Sequence, residues 1–256
     1  MSDTTKGKPK KKTNIIKQCK INDFNAMMLE VSEALDRVLE KRKKDLDIWG
    51  ETQQEEFHQI FGSEGKRIIH VNMPVRLKAH FVEMTALDAM KDGVRRLIEI
   101  KKTLKPESYI NKIYDPDNPN ASTNYKFPAG YKDPKVFAAV VNYGQQNNYL
   151  INIGINFTGR KSATGIRTCE KVMGEGSRVA TLCHEISHFE KAFLDNNLGG
   201  MGTGDYDVDG RRPENGEVDV WSYDQHVAGA DKLIKQSDEN VFDNAYNIER
   251  YFHIIV

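Results

Sequence analysis

The sequence predicts an α+β fold in which helices pack around a small sheet, and two patterns and the chain length support this class. Helical spacing of apolar residues occurs over residues 24–42, 84–100, 176–193, 228–234 and 241–252. Residues 149–157 alternate apolar and polar side chains, which predicts a strand, and residues 136–141 predict a second strand. At 256 residues, 39% of them hydrophobic, the chain is long enough to bury a substantial core.

Two segments, residues 1–20 and residues 105–134, differ in composition from the predicted helices that lie between them. Residues 1–20 begin with a Lys-, Ser- and Thr-rich stretch, so we expect a disordered basic tail before a single domain over residues 21–256. This stretch lacks the apolar centre of a signal peptide, so we expect synthesis in the cytoplasm and, for any export, a leaderless route of the contact-dependent or type VI kind. Residues 105–134 are rich in Pro, Asn and Asp, which predicts a long surface loop.

Charge and cysteine usage exclude several classes of protein. The chain has 37 Lys and Arg against 37 Asp and Glu, and this balance gives no indication of a nucleic-acid or membrane partner. No segment approaches the roughly 18 apolar residues of a transmembrane helix. Three cysteines, Cys19, Cys169 and Cys183, form no paired pattern, so we expect no disulfide framework and interpret Cys183 as a small buried residue.

The segment from His184 to His188 reads H-E-I-S-H inside one of the predicted helices. A separation of four residues places the two imidazoles about one turn apart on one helix face, where both can bind one ion. The opposite face carries the apolar residues Val179, Leu182, Ile186, Phe189 and Phe193. Burial of that apolar stripe would direct the two histidines into a cleft.

Zinc is the metal that this spacing favours. A catalytic zinc site has three protein ligands and one open position that water occupies, and the ion lowers the pKa of that water towards neutrality. Glu185, which follows the first histidine, can accept the proton of the water and pass it to a leaving amine. The alternative is that His184 and His188 only fill polar space. The pattern therefore predicts Zn²⁺ held by His184 and His188, a third ligand from the acidic segment that follows, and hydrolysis of a protein or peptide substrate.

The motif and the segment after it resemble the aspzincins, the family of deuterolysin and peptidyl-lysine metalloendopeptidase. In that family HExxH is followed by GTxDxxYG, and residues 202–205 read G-T-G-D here. The resemblance implies a zincin-like fold, mostly helical with a small sheet bordering the cleft, and Asp205 as the third zinc ligand. Residues 244–249, N-A-Y-N-I-E, resemble the NADNYE segment of the family.

This chain departs from the family pattern at two positions that matter for catalysis. The tyrosine that stabilises the oxyanion in the family falls on Val208, which has no hydrogen-bond donor. We assign that role to Tyr206, with Tyr223 as the alternative. Asp224 fits the spacing to the NADNYE-like segment better than Asp205 does, so it is the alternative third ligand.

Two interpretations of substrate preference fit the sequence. Lysine-specific members of the family use acids at the positions of Tyr246 and Glu249, and only one acid is present here. Glu249 either favours a basic substrate residue or is an ordinary helix-surface carboxylate. On the predicted strand, Asn152 and Asn156 face either the cleft or solvent, with solvent favoured.

The resemblance implies a zinc-dependent endopeptidase, similar to bacterial members that act as secreted effectors or toxins. Such a protein would have a cognate inhibitor, or immunity protein, as a partner. Two other functions fit the same residues: a catalytically silent zinc-binding interaction protein on the same scaffold, and a hydrolase of peptide cross-links in peptidoglycan.

Overall fold

Six α-helices and five β-strands make up the regular structure of the described residues, which in this computed structural model are 10–73, 79–111, 138–141, 149–158, 169–191, 199–213 and 221–256. The helices are α1 Lys10–Ile48, α2 Glu51–Phe61, α3 Ala86–Thr103, α4 Arg178–His188, α5 Tyr223–Gln236 and α6 Ala245–Tyr251. The strands are β1 Ile68–Asn72, β2 Phe81–Thr85, β3 Tyr109–Asn111, β4 Ala138–Val141 and β5 Leu150–Ile153. The predicted α+β class is confirmed. None of the described helices is long and apolar enough to cross a membrane.

The strands form two small sheets. An antiparallel hairpin joins β1 to β2, and it was not predicted. In the second sheet β5 lies in the centre, parallel to β3 and antiparallel to β4. The predicted strand over 149–157 is too long, because the chain turns after Gly154 and Ile155–Thr158 form a 3₁₀ helix. That turn buries Phe157 completely.

The asparagines of this region are buried. Asn152 on β5 is 5% exposed and Asn156 in the 3₁₀ helix is 1% exposed. The expectation that they face solvent is therefore wrong. The predicted loop over residues 105–134 contains the strand β3, and its part beyond Asn111 lies outside the described residues.

Most predicted helices are present, with different ends. Helix α1 starts at Lys10, inside the predicted tail, and the division into tail and domain stays a prediction. Helix α4 stops at His188 rather than near residue 193, because the returning chain approaches it closely. A Cβ atom added to Gly200 would lie 2.3 Å from the carbonyl oxygen of Phe189, so only glycine permits this approach.

Helix α4 lies at the centre of the core, packed against α1, α3, α6 and β4. Every residue from Val179 to His188 is buried except Thr181, so apolar and polar faces alike lie inside the protein. The predicted burial of Cys183 is confirmed, and Cys169 is buried as well. The motif histidines therefore project from a helix that the surrounding elements hold on all sides.

Candidate metal centre

Helix α4 presents the two motif histidines side by side. Ser177 begins the helix by accepting a hydrogen bond from the backbone N–H of Ala180 at 3.1 Å. One turn apart, the rings of His184 and His188 have centroids 4.8 Å apart, and the side chains are only 8% and 9% exposed. Glu185, between them in sequence, is also buried.

Asp205 completes a group of three possible metal ligands. Its Oδ1 lies 3.1 Å from Nε2 of His184 and 3.5 Å from Nε2 of His188. The three ligand atoms lie within 4.8 Å of one another. The Asp205 side chain is 31% exposed, but Oδ1 is buried and has no hydrogen-bond partner among the described residues. This oxygen therefore faces the two imidazole nitrogens.

Backbone bonds from two helices hold the segment that carries Asp205. The N–H of Thr203 donates to the carbonyl oxygen of Ser187 in α4 at 3.1 Å, and the two hydroxyls lie 2.6 Å apart. On the other side, Gly204 donates to the carbonyl oxygen of Asp243 and accepts from the N–H of Ala245 at the start of α6. The position of Asp205 therefore depends on both α4 and α6.

The second nitrogen of each imidazole faces an acceptor. Nδ1 of His188 lies 3.0 Å from the carbonyl oxygen of Thr203, and Nδ1 of His184 lies 3.3 Å from Oε2 of Glu249. Only the His188 contact is a hydrogen bond, since Nδ1 of His184 has none among the described residues. An acceptor at Nδ1 favours the tautomer that leaves Nε2 unprotonated, which is the form that binds a metal. Glu249 is 5% exposed and its Oε1 also lies 3.6 Å from Nε2 of His253. The interpretation of Glu249 as a surface carboxylate is therefore wrong.

The charges of this cluster oppose one another. Burial alone raises the pKa of both carboxyls, but the neighbouring histidines outweigh it, so the pKa of Asp205 lies well below its usual range and that of Glu249 falls to about 2. Burial lowers the pKa of both histidines. For His184 the charge of Asp205 prevails and its pKa is raised, whereas for His188 burial prevails and its pKa is lowered. The acids are thus ionised at neutral pH.

Tyr206 does not face this cluster with its hydroxyl. The hydroxyl donates to Oδ2 of Asp243 at 2.9 Å and lies 3.4 Å from Oδ1 of Asn240. Burial and the charge of Asp243 raise the pKa of Tyr206 far above its usual range. The Tyr206 hydroxyl is therefore used in a hydrogen bond to Asp243. The geometry does not support the expectation that this hydroxyl stabilises an oxyanion.

A different tyrosine lies beside the histidines. The ring of Tyr246 on α6 contacts His184 edge-on with centroids 4.7 Å apart and stacks on His226 at 4.7 Å. Tyr223 packs against Tyr246 at 5.6 Å. Sequence reasoning considered Tyr246 only as a missing acid, although it lies on the same helix as Glu249. Tyr246 and Glu249 are three residues apart, and this helical spacing is a signal in the sequence that could have placed both side chains near one site.

The remaining sequence candidates lie elsewhere. Asp224 is exposed in the first turn of α5 and is not part of the histidine–aspartate group. Val208 lies in a turn that Asp207 stabilises by accepting the N–H of Asp209 at 2.8 Å. The structure thus brings together His184, His188 and Asp205, and leaves out both Asp224 and Val208.

The donors of this group suit zinc. Two imidazole nitrogens and one carboxylate oxygen are ligands that zinc prefers, and three protein ligands leave one position open. The buried Oδ1 of Asp205 has no other partner in the described chain, which a cation would supply. No family model matches the chain, and comparison with curated proteins and with solved structures gave no significant match. The resemblance to aspzincins therefore rests on the motif residues.

Proposed function

We propose that this protein is a zinc-dependent endopeptidase with a zincin-like fold, in which His184, His188 and Asp205 hold the metal. The observation that carries the proposal is the convergence of three ligand atoms within 4.8 Å, with the carbonyl oxygen of Thr203 3.0 Å from Nδ1 of His188. The central position of the HExxH helix, with a small sheet packed beside it, supports the fold.

Glu185 has the catalytic role in this proposal. When bound, zinc supplies Lewis-acid chemistry, polarising a peptide carbonyl and acidifying a water. The Glu185 carboxylate accepts a proton from the attacking water and delivers it to the leaving amine. Glu249 and Thr203 keep the imidazoles oriented, and burial of Glu185 keeps its carboxylate away from bulk water.

The decisive test compares wild type with Glu185→Gln, each purified and loaded with one equivalent of zinc. We expect both proteins to retain about one zinc per chain by metal analysis. Cleavage of a reduced, denatured protein should fall by roughly 10²- to 10⁴-fold in the variant, because proton transfer is lost. Equal cleavage by both proteins would contradict the role of Glu185.

A catalytically silent zinc-binding protein is the second candidate, and one observation favours it. The tyrosine nearest to Asp205 in sequence has its hydroxyl bonded to Asp243, and valine occupies the position of the family tyrosine. Zinc binding without cleavage of denatured proteins, peptide libraries or peptidoglycan cross-link peptides would support this candidate. Cleavage of the cross-link peptides alone would identify a cell-wall hydrolase instead.

A further inference from the structure

A second concave site lies beyond the C-terminal end of α4. It is a groove of about 470 Å³ between the β1–β2 hairpin, the chain after α4 and the segment that precedes α6. Ile69, Val71 and Phe242 contribute apolar surface, and Lys191 and Arg212 contribute cations. No residue of the histidine–aspartate group lines this groove. It is therefore a separate feature of the surface.

The groove lies close to the metal centre along the chain. Lys191 follows His188 by three residues, and Gly202 precedes Asp205 by three residues. The two segments are joined by backbone bonds, from Gly202 N–H to the carbonyl oxygen of Phe189 at 2.9 Å and from Gly200 to Glu190 at 2.7 Å. Three extended residues span roughly 10 Å, so Lys191 lies no farther than about that distance along the backbone from His188.

The positive charge of Lys191 forms no ion pair with the described residues, although the carboxylates of Asp243 and Asp92 act on it from a distance. Two nearby arginines are paired: Arg96 with Asp92 at 2.6 Å, and Arg212 with Asp243 at 2.6 Å. The ammonium of Lys191 has no hydrogen bond or ion pair within the described part of the chain. Burial lowers the pKa of Lys191 to about 8. A desolvated cation whose neighbouring arginines already have aspartate partners is complementary to one further anionic group.

The backbone of Lys191 is fixed in this position. Nη1 of Arg96 donates a hydrogen bond to the carbonyl oxygen of Lys191. Three acids line the groove as well. Asp243 pairs with Arg212, and Glu239 accepts the backbone N–H of His70 at 3.1 Å. The third, Glu190, precedes Lys191 in sequence and is partly buried. Lys191 is the cation that loses hydration without gaining a partner among the described residues. A ligand with an acidic group would supply that partner.

We infer that this groove is a substrate subsite in which Lys191 binds a carboxylate of the peptide, either an Asp or Glu side chain or the C-terminal carboxylate. The inference rests on the proposed peptidase function and names its substrate class: peptides with an acidic group two or three residues from the bond that is cleaved. The apolar wall of Ile69, Val71 and Phe242 accommodates the methylenes of the same residue.

The test uses binding rather than turnover, in the zinc-loaded Glu185→Gln protein. Fluorescein-labelled decapeptides carry one Glu, Gln or Lys at successive positions, each with a free or an amidated C-terminus, and fluorescence anisotropy gives the affinity. We expect one Glu position, or the free C-terminus, to increase affinity about tenfold over the neutral peptide. Adding Lys191→Gln should abolish that advantage, whereas Lys191→Arg should keep part of it.

A matched control is Lys43→Gln, since Lys43 is exposed on α1 and pairs with Asp47. It should leave the preference unchanged. Circular dichroism and zinc content show that each variant is folded. Equal affinity for Glu and Gln peptides, a preference that survives Lys191→Gln, or tightest binding of Lys peptides would each overturn the inference.

The same peptides separate this inference from the proposed function. A Lys191-dependent preference in binding, with no cleavage of any peptide by wild type, would support the groove and contradict the peptidase. Cleavage by wild type without any Lys191-dependent preference would support the peptidase and overturn the groove.

Discussion

The candidate metal centre and the neighbouring groove are built on the same two chain segments, yet they differ in how their charges are balanced. In the candidate metal centre, His184 contacts both Asp205 and Glu249, so each of these carboxylates faces an imidazole. In the groove, Lys191 has no such partner among the described residues. The same two segments thus carry, at one end, carboxylates that face an imidazole and, at the other end, a lysine without an ion-pair partner among the described residues.

This difference indicates what each region contributes. Groups that orient one another, as around His184, hold a fixed geometry, which a metal site requires. A buried charge without a partner costs stability, and proteins retain such charges at sites where a ligand supplies the missing partner.

Asp205→Ala should give the largest change, because it removes a ligand atom from the metal centre. We expect zinc affinity to fall on the order of 1,000-fold, since a structural zinc's binding free energy is shared among a few ligands. Competition with a fluorescent zinc chelator measures this loss. Asp224→Ala, which removes an exposed acid on α5, is the control. A large loss in Asp224→Ala with none in Asp205→Ala would exchange the two assignments.

Glu249→Gln should have a smaller effect on the same measurement. Its carboxylate lies 3.3 Å from Nδ1 of His184, and loss of such an orienting group lowers metal affinity by roughly 10- to 100-fold. Helix α6 and the buried volume of the side chain are retained in this variant. If zinc affinity stayed at the wild-type value, His184 would not depend on Glu249 for its orientation.

Tyr206→Phe tests whether this hydroxyl belongs to the fold or to the reaction. Removal of the hydrogen bond to Asp243 should lower the free energy of unfolding by about 1 kcal/mol, while zinc affinity stays unchanged. Urea denaturation followed by circular dichroism measures the first quantity. Unchanged stability together with lost peptide cleavage would restore the catalytic assignment.

Lys191→Met should give the smallest effect, a rise in Tm on the order of 2 °C at pH 7. The substitution removes the desolvated charge and keeps a side chain of similar length. The pKa of Lys191 is lowered from 10.5 to about 8, so its cost to folding is fully present below pH 8 and disappears as the pH rises from 8 to 10.5. Calorimetry at several pH values should show the advantage shrinking over that window. Lys43→Met, at an exposed position, should not raise Tm. A gain independent of pH would point to packing rather than charge.

Local patterns in the sequence predicted the α+β class and the helix that carries the histidines. The spacing of His184 and His188 was sufficient to place them on one face, and the G-T-G-D match placed Asp205 beside them. The first inference depends on the geometry of one helix, and the second depends on a short motif that follows that helix in sequence.

Features that depend on distant segments were missed. The contact of Glu249 with His184 joins α6 to α4, and no periodicity reports such a pairing. The direction of the Tyr206 hydroxyl depends on Asp243, which follows it by many residues. The burial of Asn152 depends on the strands on both sides of β5. In each case the deciding neighbour is fixed by tertiary packing rather than by the local sequence.

The parallel bridge between Gly204 and Asn244 has a consequence for how chain length can vary. The chain leaves the metal centre next to the point at which it returns, so residues 205–243 form a closed excursion. The entropy of closing such an excursion grows slowly, by about 0.6 kcal/mol for each doubling of length. Loop residues can therefore be gained or lost between Asp205 and α6 at a small entropic cost. The spacing between an aspartate and the α6 segment is thus a poor guide to which acid binds the metal.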